Sequence, residues 1–195
     1  MLPRSVFFAI CQTILASVTY AAGSGETHIG IKARTYPGCS FSSASTALAS
    51  QNMTLASSGI ASSTVAITEM VDDATATLKA ASIQLSLRAS CNIPHRITLI
   101  SAQGGLESDS ENTSLNGAFL GKVGYQATAQ WGSQGTTLIT NGTPGQRSDA
   151  PAIVGPRAGD VNIEIKIDGT NNDTTLPVLA GSYSDTLTVH IGAPL

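Results

Sequence analysis

The 195-residue chain carries 10 Lys+Arg against 13 Asp+Glu, a net charge of −3, with 12% of residues charged and 42% hydrophobic. Mild acidity and the lack of Lys/Arg clusters argue against nucleic acid or an anionic membrane as partner. The length is that of one domain with a tail, enough to bury a sizeable core.

At the N-terminus, Arg4 supplies a positive start, Ser5 to Val18 is mostly apolar, and small residues follow at Ala21, Ala22 and Gly23. Residues 1–23 therefore read as a secretory signal peptide, cleaved after Ala21, Ala22 or Gly23, too short and wrongly flanked for a stable membrane span. Cys11 follows Phe8-Ala9-Ile10, a poor lipobox, and lipidation is not expected. No second long apolar run follows, so a soluble, exported mature chain is expected.

Removing that peptide leaves Cys39 and Cys91. Two cysteines in an exported chain predict one disulfide. It closes a loop of 52 residues (91 − 39), worth roughly 4 kcal/mol in the chain-entropy account. Free thiols or a metal site are the rival reading, weakened because His28, His95 and His190 show no ligand spacing.

Residues 24–38 precede Cys39. Thr27, Ile29, Ile31 and Ala33 alternate there with His28, Gly30, Lys32 and Arg34, the period-2 pattern of a strand, ended by Pro37-Gly38. Two readings stay open: the domain's own first strand, or an extended segment that adds to another molecule's sheet. Residues 40–80 are a Ser/Ala/Thr-rich run with strand-like pieces at 52–55 and 63–68. Ala74 to Ala81 is alanine-rich like a short helix, yet its Thr75 and Thr77 fit strand or loop equally well.

From residue 82 the pattern sharpens. Ile83, Leu85, Leu87, Ala89 and Cys91 share one face of a strand, putting Cys91 in phase with the core. After Pro94, His95 to Ala102 forms a second strand, and the pair reads as an antiparallel hairpin-like unit. Glu107 to Asn116 is a polar loop. Val123, Tyr125, Ala127, Ala129 and Trp131 are in phase on a third strand, with Trp131 placed in the core. Residues 132–160 look like loop with strand pieces at 137–140 and 153–154. Val161, Ile163, Ile165 and Ile167 mark a fourth strand, and a turn over Asp168 to Asp173 follows. The last strand alternates Tyr183, Asp185, Leu187, Val189 and Ile191 with Ser184, Thr186, Thr188 and His190. Strands without a convincing helix predict an all-β sandwich or barrel, an immunoglobulin-like sandwich above others at this size.

Catalytic constellations are lacking. No serine sits in a Gly-x-Ser-x-Gly elbow, the histidines lie apart, and the acids between Asp168 and Asp173 lack the ligand order of a calcium loop. An enzyme, a cofactor and a resident metal are therefore not expected. The Asn52, Asn112, Asn141 and Asn172 sequons would be accidental in a bacterial protein.

The run Leu179-Ala-Gly-Ser-Tyr-Ser-Asp-Thr-Leu-Thr-Val-His-Ile191 closely resembles the closing motif of spore coat protein U domains, of the type Ala-Gly-x-Tyr-x-Asp-Thr-x-Thr-Val-x-Ile. The alternating tail before Gly38-Cys39, the second cysteine at a strand end and Gly124-Tyr-Gln126 follow in the same order. Many members of that family are subunits of archaic chaperone–usher pili of Gram-negative bacteria. The resemblance implies an immunoglobulin-like sandwich over residues 39–195 that lacks its final G strand, preceded by a donor-strand extension at 24–38. A periplasmic chaperone would lend a strand first. At the outer-membrane usher, the tail of the next pilin subunit would replace it, in a homo- or hetero-polymer at the cell surface that serves attachment or biofilm. Thr27, Ile29, Ile31 and Ala33 would form the donor face; Leu187, Val189 and Ile191 would line the acceptor groove and chaperone-binding wall. The chain departs from the family in continuing to Leu195 beyond the last strand and in a donor face less bulky than Val, Leu and Ile would make. A self-contained secreted sandwich that binds a glycan or surface protein is the alternative.

Overall fold

In the computed structural model, residues 32–41, 45–59, 62–109, 117–148 and 152–192 are described, the side chains of residues 152 and 153 excepted. The chain divides between Thr35 and Tyr36. Lys32 to Thr35 are exposed and form no strand; the strands of the described residues all lie in the unit from Tyr36 onward.

In chain order the strands are β1 (Cys39–Phe41), β2 (Thr46–Gln51), β3 (Met53–Ser58), β4 (Ser63–Ile67), β5 (Ala81–Cys91), β6 (His95–Ser101), β7 (Leu106–Ser108) and β8 (Lys122–Val123). They continue with β9 (Gln126–Trp131), β10 (Gln134–Ile139), β11 (Gln146–Arg147), β12 (Ala152–Val154), β13 (Arg157–Ile167), β14 (Tyr183–Ser184) and β15 (Leu187–Gly192). No helix occurs among the described residues. The fold is all-β, with antiparallel strand pairs in every sheet.

The largest sheet is built on β5 and β13, paired from Ala81↔Ile167 to Cys91↔Arg157. Strand β9 lies on the far side of β13 and β10 on the far side of β9. The other side of β5 takes β1 near Cys91 and β2 near Ala81. A second sheet centres on β6, with β11 and β12 on one side and β15 on the other. A small sheet joins β14, β7 and β8, and β3 pairs with β4 as a hairpin.

Alternation explains which faces meet. Ile83 and Leu85 of β5, Val161 and Ile163 of β13, Ala127, Ala129 and Trp131 of β9, and Ile97 and Leu99 of β6 form one buried cluster. The intervening Gln84, Arg88, Asn162 and Glu164 are exposed, as expected of strands with one dry face. Trp131 is in the core. The expected disulfide joins Cys39 to Cys91, which face each other across the β1–β5 ladder.

Several expectations are corrected. Residues 82–91 and 95–102 do not make a hairpin-like unit: β5 and β6 lie in different sheets. Both edges of β5 are already taken, by β13 and by β1 and β2. The link at 92–94 is held instead by Asn92, whose Oδ1 accepts from the Gly38 N–H and whose Nδ2 donates to the Tyr36 carbonyl. The strand expected from Val123 to Trp131 breaks at Gly124 and Tyr125. Gly124 there exchanges hydrogen bonds with the Asn172 side chain, and Tyr125 does so with the Thr140 hydroxyl. Ala74 to Ala81, left open between helix, strand and loop, forms a turn with isolated bridges, and Asp72 Oδ1 accepts from the N–H groups of Ala74 and Thr75 to stabilise the turn. The strand expected from Val161 begins earlier, at Arg157.

The final strand is also two strands in two sheets, β14 on β7 and β15 on β6. Its break falls at Asp185 and Thr186.

Candidate functional site

Asp185 causes that break. Its Oδ1 accepts from the N–H groups of Gln103 and Thr186, and its Oδ2 accepts from the hydroxyls of Ser101 and Tyr125. A carboxylate taking four donors in this way fixes the backbone where the chain leaves one sheet for the other. Ser101 Oγ in turn accepts from the Gly104 N–H, tying in the loop after β6. An acid on the apolar face of the alternation was the sequence signal for this anchor.

Beyond Asp185, β15 pairs with β6 from Leu187↔Ser101 to Gly192↔Arg96. Among the described residues no strand pairs with its other edge. Alternate N–H and C=O groups along that six-residue strand therefore face outward without a ladder partner.

Beside this edge lies a groove of about 780 Å³. Leu187 and Val189 form its β15 wall; Leu85 and Leu87 of β5 and Ile163, Ile165 and Ile167 of β13 form the wall opposite. Met53, Val65 and Ile67 from the β3–β4 hairpin and Phe41 from β1 also line it, and Tyr125 and Asp185 are among its polar lining. Several of these side chains are in phase with the core yet incompletely covered. Leu87 is half-buried between buried Leu85 and Ala89, Ile165 between buried Ile163 and Ile167, and Leu187 and Val189 precede buried Ile191. Three strands thus leave apolar surface open to one groove, the pattern of a surface that is covered by another element.

The sequence-derived site residues fall into three groups. Cys39 and Cys91 are bonded. Leu187 and Val189 line the groove, whereas Ile191 is packed into the core and is not part of its lining. Thr27, Ile29 and Ile31 lie outside the described residues; Ala33 is exposed and unpaired with any strand. The β13 wall, the β3–β4 hairpin and the Tyr125–Asp185 pair were not anticipated as site residues. No family model, curated protein or solved structure matches the chain.

Burial pushes the Tyr125 hydroxyl well above the ordinary tyrosine value, and its bond to the Asp185 carboxylate raises it further. Tyr125 therefore stays a donor to higher pH than an ordinary tyrosine. A folded-state value above that of the unfolded chain means the native state holds the proton longer, so stability falls as pH rises beyond about 10. Tyr183, also raised by burial, contributes in the same direction. Tyr125→Phe should lose roughly 1.5–3 kcal/mol at neutral pH, the worth of a hydrogen bond to a charged group. It should also show a shallower loss of Tm than the parent above pH 10. Identical alkaline slopes in thermal unfolding would refute the assignment.

Proposed function

We propose that this chain is a structural subunit that polymerises by strand donation: a pilin whose groove beside β15 receives the N-terminal extension of a neighbouring subunit. The sandwich is read as immunoglobulin-like and short of its final strand. Residues 24–38 are the donor extension, with Thr27, Ile29, Ile31 and Ala33 as its inserting face.

The observation that carries this reading is the free edge of β15 beside a groove with apolar walls on β15, β5 and β13. An added strand satisfies both deficits at once. Its main chain completes the ladder on β15, and alternate side chains fill the groove. Burying Ile29 and Ile31 would contribute roughly 1.5–3 kcal/mol each, and each main-chain bond about 1 kcal/mol. The resemblance of the 179–191 run to the spore coat protein U motif supports the same reading. With it come the remaining elements of the proposal: export through the periplasm of a Gram-negative bacterium, a chaperone that lends the first strand, an outer-membrane usher, and a surface fibre used in attachment or biofilm. The role proposed is non-enzymatic.

The test is a donor carrying Ile29→Asp and Ile31→Asp, expressed with its chaperone and usher. Each carboxylate would have to enter an apolar groove without a partner, a cost of several kcal/mol. Surface fibres and the ladder of detergent-resistant multimers should disappear. Normal fibres would refute strand donation, and a stable parent monomer that never polymerises would favour the self-contained binding module.

A further inference from the structure

We propose that fibres of this chain carry a cationic face that binds acidic polysaccharide, built at each joint from Arg96 and Arg147 of the accepting subunit and Lys32 and Arg34 of the donating one. The proposal rests on strand donation, because the second pair arrives only with the donor strand. The accepting half is the outer face of the β6 sheet. Along β6, His95, Ile97, Leu99 and Ser101 are buried, so Arg96, Thr98 and Ile100 take the opposite face. Ladder partners share a face. On one side of β6 these are Gly192 opposite Arg96, His190 opposite Thr98 and Thr188 opposite Ile100; on the other, Arg147 of β11 is opposite Ile100. A Cβ on Gly192 would come within 3.1 Å of the His190 ring, so that imidazole lies over the glycine paired with Arg96.

Charge on this face is uncompensated. From Tyr36 onward, Lys79 pairs with Glu69, Arg88 with Asp160, Lys122 with Glu107 and Lys166 with Asp168. Arg157 donates to the Trp131 carbonyl. Arg96 and Arg147 are left without an ion pair or hydrogen bond among the described residues. Arg96 Nε is moreover buried without a partner, and buried polar atoms almost always have one. Strands β6, β11, β12 and β15 contain no Asp or Glu. A chain of net charge −3 thus gathers its two unpaired arginines from this unit on one sheet face. They are far apart in sequence, and only the register of β6 brings them together.

The donating half follows from alternation. A strand added to the free edge of β15 extends this same sheet, so the side chains that do not enter the groove project from the same outer face. With Ile29, Ile31 and Ala33 inserted, Lys32 and Arg34 fall on that outer phase, together with His28. Glu26 shares the phase but lies at the other end of the extension. Each joint then presents four cations, and the joints repeat along the fibre. A repeating patch fits a polymer with repeating acid groups, which gains from many weak contacts at once. Acidic polysaccharide fits better than nucleic acid. The four strands offer no Phe, Tyr or Trp for bases to stack on, whereas the hydroxyls of Thr98 and Thr188 beside the cations can bond sugar hydroxyls.

The test titrates assembled fibres with dextran sulfate, polygalacturonate, neutral dextran and duplex DNA. Either or both of the two acidic polysaccharides should bind, the pair of results telling sulfate from carboxylate recognition, and neutral dextran should not. Affinity should fall at least about tenfold between about 50 mM and about 300 mM salt, as screening predicts. Lys32→Gln with Arg34→Gln should form fibres in normal amount, because the inserting face is unchanged, yet bind at least about tenfold more weakly, the factor that a hydrogen bond to a charged group is worth. Arg96→Gln with Arg147→Gln should do the same; Arg147→Gln alone, at an exposed position, serves if the pair does not fold. Arg88→Gln, on the large sheet, should change nothing. Normal fibres that ignore both acidic polymers, that bind neutral dextran or DNA as tightly, or that keep full affinity in the Lys32/Arg34 and Arg147 variants would overturn this proposal and leave strand donation standing. A parent chain that makes no fibre would overturn strand donation, and this face with it.

Discussion

Deleting residues 24–35 should leave a subunit that folds, binds its chaperone and accepts a donor strand, but that no subunit beyond it can join through its missing tail. The deletion ends at Thr35 for a physical reason. The Tyr36 carbonyl accepts from Asn92 Nδ2, and the Gly38 N–H donates to Asn92 Oδ1. These bonds hold the start of β1 in place beside the disulfide. Lys32 to Thr35 are exposed and outside any strand, so removing them costs the domain little, within about 0.5 kcal/mol as for other surface changes. Assembly, in contrast, should fall to nothing, because the donor contributes the whole of the main-chain ladder and the apolar filling of the groove. The measurement is electron microscopy of cells together with unboiled gel electrophoresis of surface extracts. Fibres assembled from the deletion variant alone would sink strand donation by this segment.

The elements that alternate over many residues are legible in the amino-acid sequence. The Ile83–Cys91, Val161–Ile167 and Leu187–Ile191 faces are all where period-2 reading puts them, because each pairs a dry face with a wet one. Edges and breaks were not legible, since they are set by partners distant in sequence. The Val123–Trp131 run is interrupted by Asn172, 48 residues on from Gly124, and Asp185 splits the last strand by reaching Ser101, 84 residues back. Strands β1 and β2 sit in a Ser/Ala/Thr-rich stretch whose mostly exposed residues give no contrast between faces, whereas the strand-like pieces at 52–55 and 63–68 fall on β3 and β4. The groove was half legible. Its β15 wall follows from alternation alone, but the opposite wall on β5 and β13 looks like ordinary core in sequence. Only the register of three strands shows that Leu87 and Ile165 are left incompletely covered.

A charge placed on that wall should separate accepting a strand from folding. Val189 lines the groove and is half-buried, so in Val189→Asp the new carboxylate retains contact with water while the groove is empty. The isolated domain should lose about 1 kcal/mol, a typical single-site cost. Once a donor strand covers the position, the carboxylate is buried without a partner, at roughly 3–5 kcal/mol. Each 1.4 kcal/mol is about tenfold in affinity, so donor binding should weaken by two to three orders of magnitude. His190→Asp, on the same strand but outside the groove lining, should leave binding unchanged, and Ile191→Asp should unfold the domain because Ile191 belongs to the core. The decisive measurement mixes variants. The Val189→Asp subunit keeps its tail and still donates; the subunit lacking residues 24–35 still accepts. Each alone makes no fibre, and together they should make dimers and nothing longer, because each dimer has used its one working tail and its one working groove. Polymers longer than a dimer from that mixture would mean that tail and groove are not the two halves of one joint.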